Sequence, residues 1–378
     1  MKMRIAQVCP TYYPHIGGVE THVKEISERL ARKNFDVDVL TTDPFKKLPK
    51  EEIINNIMVK RFRSWAPNEA YYFSRELRKC LMKNSDSYDV VHAHSYHAFP
   101  ALYAAQAKNR NKLVFTLHYL GRGQTFFRNL LHIPYRFIAQ KMFKLSDKVI
   151  CVSNYEKNLV TKNFRLKGER ILIIPNGVNQ DELSNYMWTP SPSRPRITYS
   201  GRLERYQKNL DKLIQSFKIL VREYHVDAEL VIIGNGTYEK GMKRLIERLG
   251  LQRRVTLKRW LLRRQYLEEL ASSSAFVMPS EHECYCISAA EAIVLGVPTI
   301  VANSTALSEF VESGLAFGID IPITPEKIAG AVRKVLITPE ISRTRSSRGR
   351  ILSWDNVADR LERLYSEVLS SYESIGVP

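Results

Sequence analysis

Short β-branched runs alternate with helical patterns along most of the chain, and this alternation limits the possible folds more than any other feature. RIAQVC (4–9), DVDVLTT (36–42), IMVKRF (57–62), DVVHAHS (89–95), KLVFTLH (112–118) and KVICVSN (148–154) read as strands. Helical spacing fills three of the intervals, 69–83, 98–108 and 126–144. Repetition of this kind builds doubly wound parallel sheets, an α/β class. At 378 residues the chain is longer than one core usually serves, so two such domains are expected. SNYMWTPSPSRPR places three prolines between 190 and 195 and is predicted to hold the hinge. The expected division is 1–184, a linker at 185–195, 196–352, and a terminal segment 353–378.

Charge restricts partners. Lys and Arg number 57 against 39 Asp and Glu, a balance of +18. Residues 1–190 carry 30 basic and 17 acidic side chains (+13), and 191–378 carry 27 and 22 (+5). A nucleic-acid binder is one reading, yet no module signature or aromatic-basic tract accompanies the charge. An anionic membrane surface attracts the same face. Residues 126–144 set Arg128, Arg136, Lys141 and Lys144 among bulky apolar side chains. They read either as an interfacial amphipathic helix or as a core-packing helix with solvated charges, and Pro134 is expected to kink or split it. Five cysteines without zinc-site spacing suggest a reduced, cytoplasmic setting, and MKMRIAQVCP enters a strand with no apolar leader.

PSEHECYCISAAEAIVLGVPTIVA (279–302) reads as a strand exit, a helix and a second strand. Glu283 lies in its loop and Glu291 inside an Ala-rich helix, where an acid is costly without a partner. Loops at the carboxyl ends of parallel strands are where open α/β sheets bind ligands. Near the start, a loop reaches Gly17-Gly18 before a helix with Val19, Val23, Ile26 and Leu30 on one face. That is either a plain turn needing glycine for positive φ or a phosphate cradle at a helix N-terminus. His92, His94 and His97 lack a supporting Cys or carboxylate, so hydrogen-bonded histidines are expected there and a metal site is not.

Taken in order, these segments resemble the retaining glycosyltransferases of family 4, which have the GT-B architecture of two Rossmann-like domains facing across a cleft. The segments are the P-x-x-G-G-x-E run at Pro14–Glu20, T-x-H at His118, G-R-x5-K-N at Gly201, Arg202, Lys208 and Asn209, Gly234-x-Gly236, and E-x7-E at Glu283 and Glu291. The resemblance implies transfer of a sugar from a nucleoside diphosphate sugar to an acceptor hydroxyl with retention. The first domain would take the acceptor and the second the donor, with the last helix crossing back to the first.

The resemblance also assigns roles. Gly17, Gly18, Arg202 and Lys208 would hold the diphosphate, and Glu291 would accept hydrogen bonds from the ribose. Glu283 and His118 would orient the sugar, and backbone N–H groups around Cys286 and Ile287 would add donors. Lys258, Arg259 and Trp260 are candidates for the base. With no Asp-x-Asp motif, Arg202 and Lys208 would replace a divalent ion, so neither metal nor cofactor is expected. A lipid-linked or membrane-surface glycan is the expected acceptor, with the protein peripheral on the inner face of the membrane. Two departures affect the sugar site: Tyr119 follows His118, and Tyr285-Cys286 replaces the family's usual Phe-Gly. Near Asn303, Thr305 and Ala306 stand where the family has Gly-Gly, and RTRSSRGR (343–350) reads as a solvated helix end. A nucleotide-sugar epimerase or a phosphorylase of the same architecture remains an alternative.

Overall fold

The computed structural model describes residues 2–121, 126–164, 166, 168–190, 194–338 and 349–373, and for 68, 126–134 and 371–373 the backbone only. The chain divides into two α/β units, Met1–Gly177 with Trp354–Pro378, and Val178–Ser353.

The first unit is an eight-stranded sheet of β1 (Arg4–Val8), β2 (Asp36–Asp43), β3 (Glu51–Ile54), β4 (Ile57–Arg63), β5 (Val90–His94), β6 (Lys112–Thr116), β7 (Lys148–Cys151) and β8 (Ile171–Ile173). Their order is 3-4-2-1-5-6-7-8. Neighbours are parallel except β3 and β4, which pair antiparallel. The hairpin between those two escaped the sequence reading. Its turn is Asn55-Asn56, both at left-handed φ (50° and 65°), the geometry a two-residue hairpin requires. Strands β5 and β6 are almost wholly buried, as parallel strands covered by helices on both faces should be.

Helix Phe126–Leu145 continues through Pro134, so of the expected kink or split the split does not occur. Its Tyr135, Ala139, Met142 and Phe143 enter the core, while Arg136, Phe137, Lys141 and Lys144 face outward. The side chain of Arg128 lies outside the described residues. Helix Trp354–Glu373 buries Trp354, Val357, Leu361, Leu364 and Val368. It is tied to helix Gly18–Arg32 and its C-cap Lys33 by Arg29–Asp355 (3.1 Å), Lys33–Asp359 (2.6 Å) and Lys33–Glu362 (2.8 Å). Among the described residues no helix is long and apolar enough to cross a membrane.

The second unit has six parallel strands, β9 (Arg196–Ser200), β10 (Glu229–Ile233), β11 (Val255–Lys258), β12 (Ala275–Met278), β13 (Thr299–Ala302) and β14 (Phe317–Ile319), in the order 11-10-9-12-13-14. Residues 178–184 were expected in the first domain but pack here. Val178 N–H donates to Leu352 O (2.9 Å), Gln180 to Ile351 O (2.7 Å), and Leu183 is buried in the second core. Apolar burial draws them in, so the division falls before Val178 rather than within the proline-rich 185–195. Of that segment 191–193 lie outside the described residues, as do 343–348 of RTRSSRGR.

In each sheet the strand order reverses once, between β1 and β5 and between β9 and β12. Loops leaving the carboxyl ends of such strands diverge and open a crevice. Gly17 and Gly18 follow β1, Arg202 and Lys208 follow β9 and Glu283 follows β12, while His118 lies one strand out beyond β6 and Gly234 and Gly236 beyond β10.

Candidate active site

In the second unit, the loop after β9 carries Gly201 and Arg202 and leads into the short helix Arg205–Lys208. The loop after β12 carries Glu283 and ends at helix Ile287–Val294. Lys208 and Glu283 form an ion pair whose side chains are 8% and 13% exposed. Around it the loops are cross-linked. Asn209, at φ +51°, donates from Nδ2 to Pro279 O (2.9 Å), and Ser280 Oγ to Gln207 O (3.2 Å). Glu283 N–H donates to Thr305 Oγ1 (3.2 Å), so Thr305, a departure from the usual Gly-Gly, braces the backbone that carries the first carboxylate. Arg202 sits at the rim, its side chain 52% exposed and 3.2 Å from Glu204.

Gly234 and Gly236 support this rim. Gly234 takes φ +147°, and a Cβ there would run into Gly201 O; one on Gly236 would meet the Leu203 backbone. Gly201 N–H donates to Ile233 O (3.0 Å) and Leu203 N–H to Asn235 O (2.9 Å). Only glycine lets the two loops lie this close.

Glu291 is buried and engaged. One oxygen accepts from Arg263 Nη1 at 2.6 Å and the other from Tyr266 OH at 2.9 Å. Arg263 also bridges to Glu182 (2.8 Å). Burial and the adjoining Glu291 carboxylate push the Tyr266 phenol well up, so it stays a donor. Each carboxylate oxygen keeps a second lone pair for a further hydroxyl. The sequence reading missed Arg263 and Tyr266; the demand of a buried acid for a partner was the only signal. Of the base candidates, Lys258 is paired with Glu269.

Cys286 caps helix Ile287–Val294 at φ +87°. The family's usual glycine at this position adopts such a conformation freely, whereas a Cβ strains it. Burial pushes the thiol up to about 12, so it is not a nucleophile at neutral pH. Tyr285 packs edge-on against Phe310 with ring centroids 5.5 Å apart.

In the first unit, Gly17 is extended (φ −174°), so the turn needs no positive φ, contrary to that reading of the pair. A Cβ at Gly17 would strike the carboxylate of Glu20, which accepts a hydrogen bond from Thr11. Glu20 thus places a negative charge in the first turn of this helix, next to the expected phosphate cradle. His118 follows β6 at φ +51°. Behind it, fully buried Glu156 accepts from Tyr119 N–H and Val152 N–H (2.6 Å for the latter), joining the ends of β6 and β7. Burial raises this carboxyl to about 8 against the pull of those donors. Tyr119 turns into the core.

His92 is fully satisfied, by Tyr365 OH (2.6 Å) and Thr116 Oγ1 (2.7 Å). His94 is not, because only its Nε2 is paired, with Gln7 at 2.7 Å. The expectation of satisfied histidines therefore holds for one of the pair and fails for the other.

Two Rossmann-like units with these loops define a GT-B architecture. Residues 16–182 match Glycosyltransferase Family 4 and residues 188–351 match Glycosyl transferases group 1. An uncharacterised glycosyltransferase of Methanocaldococcus jannaschii is 28% identical, covering 96% of this chain and 98% of its own length. The glycogen synthase of Mycobacterium tuberculosis is also 28% identical over 96% of this chain and 94% of its own. A crystal structure of an Anabaena protein in complex with UDP and glucose superposes with a TM-score of 0.77 at 17% identity, covering 97% of this chain and 100% of that one. The chain belongs to the group 1 glycosyltransferases.

Proposed function

We propose that the protein moves a sugar from a nucleoside diphosphate sugar to an acceptor hydroxyl with retention at the anomeric carbon, without a divalent ion. The observation that carries this reading is the buried Lys208–Glu283 pair at the strand reversal of the second unit, with Arg202 at its rim. A departing nucleoside diphosphate gathers negative charge, and fixed cations stabilise it as it forms. Glu283 holds the Lys208 ammonium in place before the donor arrives, so little reorganisation is needed at the moment of transfer. Glu291, oriented by Arg263 and Tyr266, takes the ribose hydroxyls on its remaining lone pairs. His118 and Glu283 orient the sugar. The Anabaena protein solved with UDP and glucose supports a nucleotide-sugar donor by analogy of fold.

The acceptor we propose is a lipid-linked or membrane-surface glycan on the cytoplasmic side. The +13 first half and the outward Arg136, Phe137, Lys141 and Lys144 motivate it. Five free cysteines suit a reducing compartment.

A panel of sugar nucleotides screened for protection against thermal unfolding tests the donor. A ligand at 100 Kd adds about 2.7 kcal/mol. With the protecting donor, release of free nucleoside diphosphate together with a glycoside marks transfer, whereas an isomerised sugar nucleotide marks an epimerase. Protection by no sugar nucleotide at millimolar concentration removes the proposal.

A further inference from the structure

Three histidines converge in the first unit: His22 on helix Gly18–Arg32, His94 at the end of β5, and His118 just beyond β6. One ring nitrogen of each lies within 4.8 Å of the others. His22 Nε2, His94 Nδ1 and His118 Nε2 are buried and, among the described residues, have no hydrogen-bond partner. Their neighbours decide where the protons sit. Asn176 Oδ1 accepts from His22 Nδ1 at 2.8 Å, which leaves His22 Nε2 as a bare lone pair. The Gln7 amide nitrogen donates to Tyr365 OH (3.5 Å), so its oxygen accepts from His94 Nε2 (2.7 Å) and His94 Nδ1 is bare as well. Burial lowers the pKa of His22 to about 4 and those of His94 and His118 well below the usual range, so all three rings are neutral at physiological pH. Bare lone pairs brought together in a buried space repel one another, and a cation between them relieves this.

Neutral imidazoles that converge on one point, two of them with the rear N–H tied to an amide oxygen, form the donor set of an open three-histidine metal centre. Zinc–nitrogen bonds of about 2.0–2.1 Å place tetrahedral ligands roughly 3.4 Å apart, within side-chain adjustment of the observed spacing. Imidazole without carboxylate suits zinc, copper(II) or nickel and disfavours magnesium and calcium. We propose that His22, His94 and His118 bind a divalent transition-metal ion of the zinc type, and that its presence withholds His118 from the sugar. The first clause stands on the histidine geometry; the second rests on the sugar-transfer reading above.

The test titrates the metal-free full chain with zinc sulfate by calorimetry and thermal unfolding, and with cobalt(II) by visible absorption. One ion per chain, a raised Tm and the intense visible bands of tetrahedral cobalt are expected. His22→Gln should abolish these signals. Asn176→Ala, which removes only the partner behind His22, should weaken binding by about 10–100-fold. Circular dichroism and sugar-nucleotide protection confirm that each variant is folded. If wild type binds no zinc, or both variants bind it as tightly as wild type through other histidines, the site is overturned. These readouts need no glycosyl transfer, so failure here leaves the donor reading untouched. Zinc binding with undiminished transfer would keep the site and remove the second clause.

Discussion

Removing Lys208 should damage the second unit before it damages catalysis. Lys208 is 7% exposed and the Glu283 side chain 13%, so Lys208→Ala leaves a largely enclosed carboxylate without its cation. Breaking a buried pair from one side costs about 3–5 kcal/mol, far above the roughly 0–1 kcal/mol of an exposed bridge. For a unit of this size each kcal/mol moves Tm by about 2–4 °C, so a fall of roughly 6–20 °C is expected. Glu283→Ala should cost a similar amount by stranding the ammonium. Lys208→Met with Glu283→Gln removes both charges and keeps the volume, and should recover most of the loss.

The assay is urea and thermal unfolding of wild type, Lys208→Met, Glu283→Gln and the variant carrying both, read as a double-mutant cycle. Turnover then separates the roles. The double variant should still lose about 10²–10³-fold in kcat/KM, because the cation proposed to face the departing diphosphate is gone. A coupling below about 0.5 kcal/mol would mean that the pair behaves as if solvated, and the argument from burial would collapse. Full turnover by the double variant would remove Lys208 from the diphosphate.

Arg202→Ala should show the opposite balance, with stability within about 0.5 kcal/mol of wild type because its side chain is half exposed, but kcat/KM down by about 10²–10³-fold. Wild-type turnover by this variant would remove it from the diphosphate site. Turnover should survive excess chelator; complete loss, restored by magnesium or manganese, would reveal a ligand set not recognised above. Anionic vesicles should bind the protein, more weakly as salt screens attraction over about 8 Å at physiological strength. Reversing charge at Arg128, Arg136, Lys141 and Lys144 should reduce that binding and spare donor affinity, and failure to bind vesicles of any charge would point to a soluble acceptor. At Cys286 the usual order of substitutions should invert, with Gly more stable than Ala by about 0.5–1 kcal/mol, since the left-handed φ penalises any Cβ. Equal or greater stability of Cys286→Ala, measured by urea unfolding, would show that the backbone relaxes there.

The sheets were legible because parallel strands are short, β-branched and buried on both faces, so β1, β2, β5 and β6 stand out as apolar runs. β3 did not, since EEII is an edge strand with half its residues exposed and its only signal is the Asn55-Asn56 turn. The compact units divide earlier than the expected linker, whereas the matched family segments meet near it, at 182 and 188. Prolines mark where a chain cannot join a ladder, but the unit boundary is set by which core buries Val178 and Leu183, and that choice lies in residues distant in sequence.

The site divides along the same line. Gly201, Arg202, Lys208, Glu283 and Glu291 were named from the motifs of the resemblance, and the structure places them in the loops after β9 and β12 and in the helices those loops lead into. What each group touches was not legible. Lys208 and Glu283 are 75 residues apart and Glu291 and Arg263 are 28 apart, and nothing in their spacing says that they are paired. Cys286 lies between the two cases. The resemblance marked it as a departure from glycine, and the expected consequence was a narrower space beside the sugar. The structure adds a backbone cost, because φ +87° at the cap of helix Ile287–Val294 is where a side chain is least welcome. That strain sits at the loop whose N–H groups are assigned to the donor. A chain that keeps a Cβ there bears the cost locally while Thr305, also in place of glycine, anchors the same loop through Glu283 N–H. The two departures from glycine therefore act on one loop in opposite senses, Cys286 straining it and Thr305 holding it, and donor selectivity should depend on the two together.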